Sequence, residues 1–246
     1  MFNLLKTETM KFKNTYITTL GLLGMISPVI IIAIGTFIVR GDLIAQDIYN
    51  WHSYFGRIIS FFMMLIGPLI SSFLAINSIY YEYKSHTFEN ILNSPNSRFK
   101  IIISKILYVS ALILVLYFCV AITNVICAYL LGFPIITSEL TEYTAYIMLA
   151  GITNIVIIPF VMLLTLIFKD FVGPMIIAVA GIIPNLAAFH WDKVYLSPFA
   201  VPEVIVLQIA GVLPEINLAY PIISILSYFT IFLIGLILYF KSSTQY

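Results

Sequence analysis

The chain has 246 residues, of which 61% are hydrophobic and only 9% are charged, whereas a typical soluble domain has roughly 25% charged residues. This composition excludes a soluble globular domain, and the net charge of +1 gives no indication of nucleic-acid binding. A membrane-spanning helix needs about 20 predominantly apolar residues, and several runs exceed that length. The sequence therefore predicts an all-α, polytopic membrane protein in which residues 1–246 form one domain.

Residues 1–16 are predicted to form an amphipathic helix at the membrane interface. Phe2, Leu5 and Phe12 recur at near-helical spacing with three lysines among them, which suits a helix resting on an anionic leaflet. A basic segment that simply flanks the first span is the alternative. A cleaved signal peptide is not expected, because the apolar run that follows is longer than a signal core of about 7–15 residues.

Six charge-free runs follow, and each is predicted to be a transmembrane helix. They cover roughly residues 17–39, 58–81, 106–133, 143–168, 171–188 and 216–240. The third run contains both cysteines, Cys119 and Cys127. These lie about 12 Å apart along a helix axis and are therefore expected to be free thiols rather than a disulfide.

A polar stretch, residues 82–105, separates the second run from the third and is expected to lie in water. Phe88, Ile91 and Leu92 are spaced i, i+3 and i+4, which predicts a short helix with one apolar face. Pro95 ends that helix. A helix this short has no core of its own, so it either rests on lipid headgroups or packs against a partner.

A second irregular stretch, residues 192–215, precedes the last run. It is apolar but is interrupted by Pro198, Pro202, Gly211 and Pro214. The remaining pieces are too short to cross a bilayer, and their backbone groups need protein or water around them. We therefore predict an outer re-entrant segment in which Phe199 and Glu203 are candidates for a substrate exit. A structural lid is the alternative.

The placement of positive charge predicts the orientation. With six spans and a cytoplasmic N-terminus, nine of the twelve lysines and arginines lie on the cytoplasmic side, and only Arg40, Arg57 and Lys193 lie outside. Positive residues favour the cytoplasmic side, so both termini and the 82–105 loop are predicted to be cytoplasmic. A seventh span would move only Lys241 outside. The count of basic residues therefore supports six spans but does not decide between six and seven.

Several kinds of chemistry are not expected in this chain. No G-x-x-x-x-G-K-[ST] motif is present, so the chain cannot hydrolyse ATP by that route. The six runs contain no ionisable residue, which argues against a proton- or sodium-coupled transporter. An intramembrane protease is also disfavoured, because the three histidines lie outside the runs, away from any acid within a span.

Three asparagines are the main polar residues inside the predicted spans: Asn124, Asn154 and Asn185. Such residues commonly form hydrogen bonds between membrane helices, each worth about 1 kcal/mol. They are also candidates for polar points along a substrate path.

The 82–105 loop resembles the first cytoplasmic loop of type-2 ATP-binding-cassette (ABC) exporter permeases, and most closely that of lantibiotic-immunity and bacitracin-type transporters. The residues that carry the resemblance are Glu82, Thr87, Phe88, Ile91, Leu92, Ser94, Pro95, Arg98, Ser104 and Lys105. In that family the loop contains the coupling helix, which docks on a separate ATPase subunit. His86, Glu89 and Asn96 depart from the usual pattern, which bears on the turn into the helix and on the choice of ATPase.

The resemblance implies a bacterial cell-membrane permease that is not itself an enzyme. It would need an ABC ATPase dimer that binds ATP and Mg²⁺, a second permease (another copy or a related chain), and surrounding lipid, with no cofactor in this chain. The implied substrate is a membrane-active antimicrobial peptide. Export of another hydrophobic or lipid-linked molecule is one alternative, and a non-transporting scaffold or sensor subunit is another.

Overall fold

The computed structural model describes residues 2–13, 15–45, 49–85, 87, 97–133, 137–183, 196–211 and 217–242. Within these ranges the chain is helical and contains no β-strand. The helices are α1 (Phe2–Lys13), α2 (Ile17–Ile38), α3 (Arg40–Ala45), α4 (Trp51–Phe61), α5 (Gly67–Lys84), α6 (Arg98–Leu130), α7 (Thr137–Asn154), α8 (Ile157–Phe168), α9 (Val172–Ile182), α10 (Val201–Ile209) and α11 (Ala219–Ser242), and a π-helical turn (Phe62–Ile66) joins α4 to α5.

Four stretches of the described chain are long and apolar enough to cross a membrane. They are Ile17–Ile38, Arg98–Leu130, Ser138–Phe168 and Ala219–Phe240. They match the first, third, fourth and sixth predicted runs. The second run falls in the α4–α5 stretch, which the π-helical turn divides, and the fifth is represented by a shorter apolar helix. The all-α architecture is confirmed for the described residues, four of whose stretches are candidate membrane spans, and the number of six spans stays a prediction.

The π-helical turn between α4 and α5 has a local cause. Pro68 has no N–H to donate to the carbonyl of the residue four positions earlier. The chain widens instead, and the N–H of Gly67 donates to the carbonyl of Phe62, five residues before it. Turns of this kind occur mostly as single insertions in α-helices, frequently at functional sites.

A second proline separates α7 from α8. Pro159 cannot donate to the carbonyl of Ile155, which instead accepts a hydrogen bond from the N–H of Ile158 at 3.1 Å. The N–H of Val156 likewise bonds to the carbonyl of Thr153 at 3.3 Å. The fourth predicted run is therefore one span with a tight turn in it.

Helix α5 lies at the centre of the bundle. It packs against α2, α6, α8 and α9, and Ser71, Ser72, Leu74 and Ala75 have no exposed surface. Small residues such as Ser71, Ser72 and Ala75 let helix backbones approach closely. The core therefore forms around the second predicted span, and the faces of α2, α6 and α11 that point away from it are apolar and exposed.

Helix α10 lies within the described part of the predicted re-entrant segment, residues 196–211. Val204, Val206 and Leu207 are fully buried, and the helix packs against α7 and α11. Protein therefore shelters its backbone, as such a segment requires. Residues 192–195 and 212–215 of the segment lie outside the described residues, and its position relative to a bilayer stays a prediction.

Candidate functional site

Four charged side chains from three helices meet at one end of the bundle. Glu8 and Lys11 lie one turn apart on α1, Glu82 lies in the last turn of α5, and Lys105 lies two turns into α6. We call these four residues the ion cluster. Glu82 and Lys105 are also the first and last residues of the predicted 82–105 loop, so the cluster closes the base of that loop.

The carboxylates and ammonium groups of the ion cluster alternate. The Nζ of Lys105 lies 2.6 Å from Glu82 Oε1 and 3.3 Å from both carboxylate oxygens of Glu8. The Nζ of Lys11 lies 2.6 Å from Glu82 Oε1 and 2.9 Å from Glu8 Oε1. Lys105 also donates to the backbone carbonyl of Ser78 at 3.0 Å. Each charge therefore contacts two of opposite sign, and the four sum to zero.

The ion cluster is largely removed from solvent. The side chains of Lys105, Glu82 and Glu8 are 0%, 2% and 5% exposed, and that of Lys11 is 27% exposed. A cavity of about 10 Å³ lies beside Glu82, which is at the lower limit for one water molecule. Burying an isolated charge in such a place would cost several kcal/mol of desolvation free energy. Each of these residues therefore needs its oppositely charged partners in order to be buried.

The pKa of Lys11 shows how the surrounding charges act on this group. Burial alone lowers the pKa of an ammonium, but the attraction of the Glu82 and Glu8 carboxylates outweighs it, and the pKa of Lys11 is raised above its ordinary value of 10.5. Lys11 is therefore a cation at any physiological pH. Its contribution to stability is complete below pH 10.5 and is lost as the pH rises through the raised pKa.

Helix α1 is fixed to α6 by an apolar contact as well as by charge. Phe12 is 4% exposed, and its ring centroid lies 5.0 Å from that of Tyr108 on α6. The sequence predicts an interfacial helix over residues 1–16. The structure adds that the helix packs onto the bundle, with one acidic residue, Glu8, pointing inward.

The ends of the 82–105 loop differ from the sequence-based expectation. That expectation places the whole stretch in water, yet Glu82 and Lys105 are buried because α5 continues to Lys84 and α6 begins at Arg98. The hydroxyl of Ser97 caps α6 by accepting a hydrogen bond from the N–H of Lys100. Residues 85–97 connect the two helices, and of these only 85, 87 and 97 are among the described residues.

The structure describes part of the predicted coupling residues. Thr87 is exposed, its N–H donates to the carbonyl of Glu82 at 3.1 Å, and its hydroxyl lies 2.9 Å from that of Ser85. Arg98 is the first residue of α6. The remaining coupling residues lie outside the described residues: Phe88, Ile91, Leu92 and Pro95.

A second polar contact lies where the two proline breaks meet. The side-chain amide of Asn154, the last residue of α7, donates to the hydroxyl of Tyr117 on α6 at 2.9 Å and to the carbonyl of Ala150 at 2.9 Å. A Cβ atom added to Gly67, which follows the π-helical turn, would lie 2.3 Å from the same hydroxyl. We call Gly67, Tyr117 and Asn154 the mid-bundle node.

The other candidates for a substrate path do not join this node. Asn124 lies seven residues beyond Tyr117, about 10 Å further along α6; it is 1% exposed, and its amide has no hydrogen-bond partner among the described residues. Phe199 is buried and packs edge-on against Phe160 at 5.8 Å. Asn185 and the side chain of Glu203 lie outside the described residues. Among the described candidates, Asn154 forms a hydrogen bond between two helices, which is the common role of an asparagine within a membrane helix.

Residues 4–185 match the family model described as "ABC-2 family transporter protein". The chain belongs to the ABC-2 transporter family. No curated protein matches the chain. The matched region includes all four residues of the ion cluster and all three of the mid-bundle node.

ABC-2 family membership accounts for the coarse features of the chain. The family comprises the membrane permease of an ABC transporter rather than its ATPase, and so implies an ABC ATPase partner. The apolar helices and the family together indicate a multi-pass membrane protein.

Only two of the four residues of the ion cluster are singled out by the sequence pattern. Glu82 and Lys105 belong to the loop pattern, but Glu8 and Lys11 are assigned only to a basic interfacial helix. The available signal is Glu8 itself, the single acidic residue among the three lysines of α1. It lies one turn before Lys11. Its contact with the buried Lys105 on α6 explains why an acidic residue occurs there.

Proposed function

We propose that this ABC-2 chain is the membrane-spanning permease subunit of an ATP-driven exporter, and that residues 85–97 dock on the partner ATPase. The observation that carries the proposal is the ion cluster. It links both helices that border the loop to each other and to α1, through contacts of 2.6–3.3 Å. A loop that must transmit force into the membrane needs such a rigid base.

The connected elements suggest how a movement at the loop would enter the bundle. Because α5 and α6 are held together at Glu82 and Lys105, a displacement of the loop would move their ends as one unit. Helix α5 leads from there to the π-helical turn, and α6 leads to Tyr117. Both helices therefore pass from the ion cluster to the mid-bundle node, where the α7–α8 break also lies. The node is a natural position for a hinge.

The apolar residues Phe88, Ile91 and Leu92 are proposed as the docking face. The ATPase dimer would supply the ATP and Mg²⁺ chemistry, and a second permease, either another copy or a related chain, would complete the pathway. Both termini are proposed to be cytoplasmic and the host membrane to be a bacterial cell membrane. The nine-to-three distribution of basic residues supports this orientation.

The proposed substrate is a membrane-active antimicrobial peptide, expelled for self-protection or resistance. Support for this comes from the loop resemblance to lantibiotic-immunity and bacitracin-type permeases. Another hydrophobic or lipid-linked substrate is the alternative within transport, and a scaffold or sensor subunit is the alternative outside it. Stimulation of ATP hydrolysis by a candidate peptide in the reconstituted complex supports transport, whereas a scaffold gives no stimulation.

The docking proposal is tested by introducing the same charge at two positions of the loop. Leu92→Asp places a carboxylate on the proposed apolar face, and Asn90→Asp places one off that face. Because truncating a buried interface anchor typically costs about 2 kcal/mol or more, Leu92→Asp is expected to lower co-purification of the ATPase at least about tenfold. Asn90→Asp is expected to leave it nearly unchanged.

Both variants must be present in the membrane at the parental level for the comparison to count. Undiminished co-purification and ATPase activity of the Leu92→Asp complex would show that the helix rests on lipid and that the ATPase binds elsewhere.

A further inference from the structure

Helix α1 is held on the bundle by few groups. Among the described side chains of α1, the buried ones are those of Glu8 and Phe12. They lie one turn apart and contact Lys105 and Tyr108, which are about one turn apart on α6. Helix α5, by comparison, has eleven buried residues in eighteen. Helix α1 is therefore attached mainly through a single turn.

The ion cluster consists of two halves, and each half is neutral. The first half lies within α1, where the Nζ of Lys11 is 2.9 Å from Glu8 Oε1. The second half joins α5 to α6, where the Nζ of Lys105 is 2.6 Å from Glu82 Oε1 and 3.0 Å from the carbonyl of Ser78. Separating the halves leaves every charge with a partner of opposite sign. The large cost of a buried charge without a partner therefore does not oppose this separation.

The seam between the two halves is incompletely packed. The cavity of about 10 Å³ lies between Lys11 and Phe12 on one side and Ser78 and Glu82 on the other. The Oε2 of Glu82 has no hydrogen-bond partner among the described residues, and a buried carboxylate oxygen in this state is unfavourable. Water reaches this oxygen when α1 moves away. Opening the seam therefore recovers part of the free energy of the contacts that it breaks.

The connection between α1 and α2 allows α1 to move as a unit. The N–H and the hydroxyl of Thr15 both donate to the carbonyl of Phe12, at 3.1 and 2.9 Å, which ends α1 in a turn. Tyr16 follows and is 85% exposed. The first buried residue of α2 is Gly21. A rotation within the turn therefore lifts α1 without disturbing the packing of α2.

We propose that α1 is a releasable strap, which docks reversibly across the ends of α5 and α6 and opens along the seam between Lys11 and Glu82 while the other helices stay folded. In the docked state, α1 holds these two ends together in addition to their own ion pair. In the released state, only the Glu82–Lys105 pair holds them. The strap thus sets how firmly the base of the 85–97 loop is fixed. This consequence for coupling rests on the proposed function of the loop, whereas docking and release do not.

The test measures how fast a thiol behind the strap reacts. In a chain with Cys119→Ala and Cys127→Ala, Ser78→Cys places a thiol at the seam cavity, and Ser72→Cys places one about 9 Å further along α5, where the side chain is fully buried. The full chain in phosphatidylcholine nanodiscs is treated with N-ethylmaleimide, and its intact mass is followed over time. Local opening exposes position 78 and only wider unfolding exposes position 72. Ser78→Cys is therefore expected to react at least about tenfold faster.

A change on α6 tests whether docking of α1 controls this rate. Tyr108→Ala removes the ring that packs on Phe12 and leaves the residues around the cavity in place. It should accelerate the reaction of Ser78→Cys about tenfold and leave Ser72→Cys unchanged, the size expected for loss of one aromatic contact. Leu107→Ala is the matched control, because it shortens the neighbouring, exposed side chain, and should change neither rate.

Two further variants test the neutrality of the halves. Glu8→Gln leaves Lys11 and Lys105 to share one carboxylate in the docked state, so release is favoured and Ser78→Cys should react faster. Adding Lys11→Gln makes the α1 half neutral again and should return the rate most of the way to that of the parent. If the double variant reacts as fast as Glu8→Gln alone, the argument from two neutral halves is wrong.

Two other outcomes would overturn the proposal. Equally slow reaction of Ser78→Cys and Ser72→Cys, unchanged by Tyr108→Ala, would show that α1 is a fixed part of the bundle. Equal acceleration of both thiols by Tyr108→Ala would show that the bundle opens as a whole. The assay contains no ATPase, so loss of ATPase binding in Leu92→Asp does not affect it. Failure of the proposed function and failure of this inference are therefore distinguishable.

Discussion

Lys105 is a charged residue with no exposed surface, and its surroundings explain how the fold accommodates it. Its ammonium group has two carboxylates and the carbonyl of Ser78 as partners, so its hydrogen-bonding capacity is used. Glu82 is less completely satisfied, since only its Oε1 has a hydrogen-bond partner among the described residues. A group of this kind fixes the geometry of three helices, while contributing less to stability than its short distances suggest.

Breaking the ion cluster on one side should cost more than removing a matched pair. Lys105→Met leaves two buried carboxylates with one ammonium, which is expected to destabilise the chain by about 3–5 kcal/mol. Glu82→Leu/Lys105→Met leaves the neutral pair of Glu8 and Lys11 and should recover most of that loss. The measurement is the thermal unfolding temperature of the purified chain in detergent micelles.

Lys13→Met serves as the control for this comparison, because it removes an exposed lysine from the same helix, α1. Its unfolding temperature should match that of the parent. If the double variant unfolds as early as Lys105→Met, the cost arises from lost packing rather than from unpaired charge, and the role given to the cluster is wrong.

At the scale of elements, the two proline breaks lie beside the point where α6 and α7 approach each other closely. A Cβ atom added to Gly151 would lie 2.9 Å from Cγ and 3.1 Å from Cβ of Tyr117. These atoms form the base of the tyrosine side chain and cannot move without moving α6. The missing side chain at residue 151 therefore allows Tyr117 to reach Asn154 and Gly67.

Gly151→Ala is accordingly expected to push α6 and α7 apart, at a cost of about 1–3 kcal/mol for overpacking. Gly67→Ala should displace the Tyr117 hydroxyl and break its bond to Asn154. Gly35→Ala on α2 is the control, because a Cβ atom there meets nothing within 4 Å. The checks are the unfolding temperature and substrate-stimulated ATPase activity, and parental values for Gly151→Ala would contradict the packing described.

How far the sequence predicts these elements depends on whether the cause is local. Apolar runs predict α2, α6, the α7–α8 stretch and α11, because burial in lipid requires length and composition alone. Pro159 and Pro68 each remove one backbone hydrogen bond of a helix, but the sequence does not specify whether the chain forms a tight turn or a π-helical turn there. The partnership of Glu8 with Lys105 joins residues that are distant in the chain, and no periodicity encodes it.

At the scale of the whole molecule, the charged groups are divided between the two ends of the bundle. The ion cluster, the start of α6 and the end of α11 share one end, since Tyr239 neighbours Tyr83 near Glu82. The acidic first turns of α7 lie at the other end. Lys11 and Lys105 are paired with carboxylates, and even without these two the proposed cytoplasmic side has seven basic residues against three outside. Basic residues therefore remain in excess on the proposed cytoplasmic side.

This arrangement allows one experiment to fix the orientation of every described helix. In a chain with Cys119→Ala and Cys127→Ala, single cysteines at Ser97, before α6, and Ser242, at the end of α11, should resist a membrane-impermeant thiol reagent in intact cells and react after permeabilisation. Ser138→Cys, at the exposed start of α7, should react in intact cells. This result is expected because basic residues favour the cytoplasmic side and are in excess at the ion-cluster end. Labelling of Ser97→Cys from outside would show that the bundle has the opposite orientation. A cytoplasmic ATPase could then not contact the coupling loop.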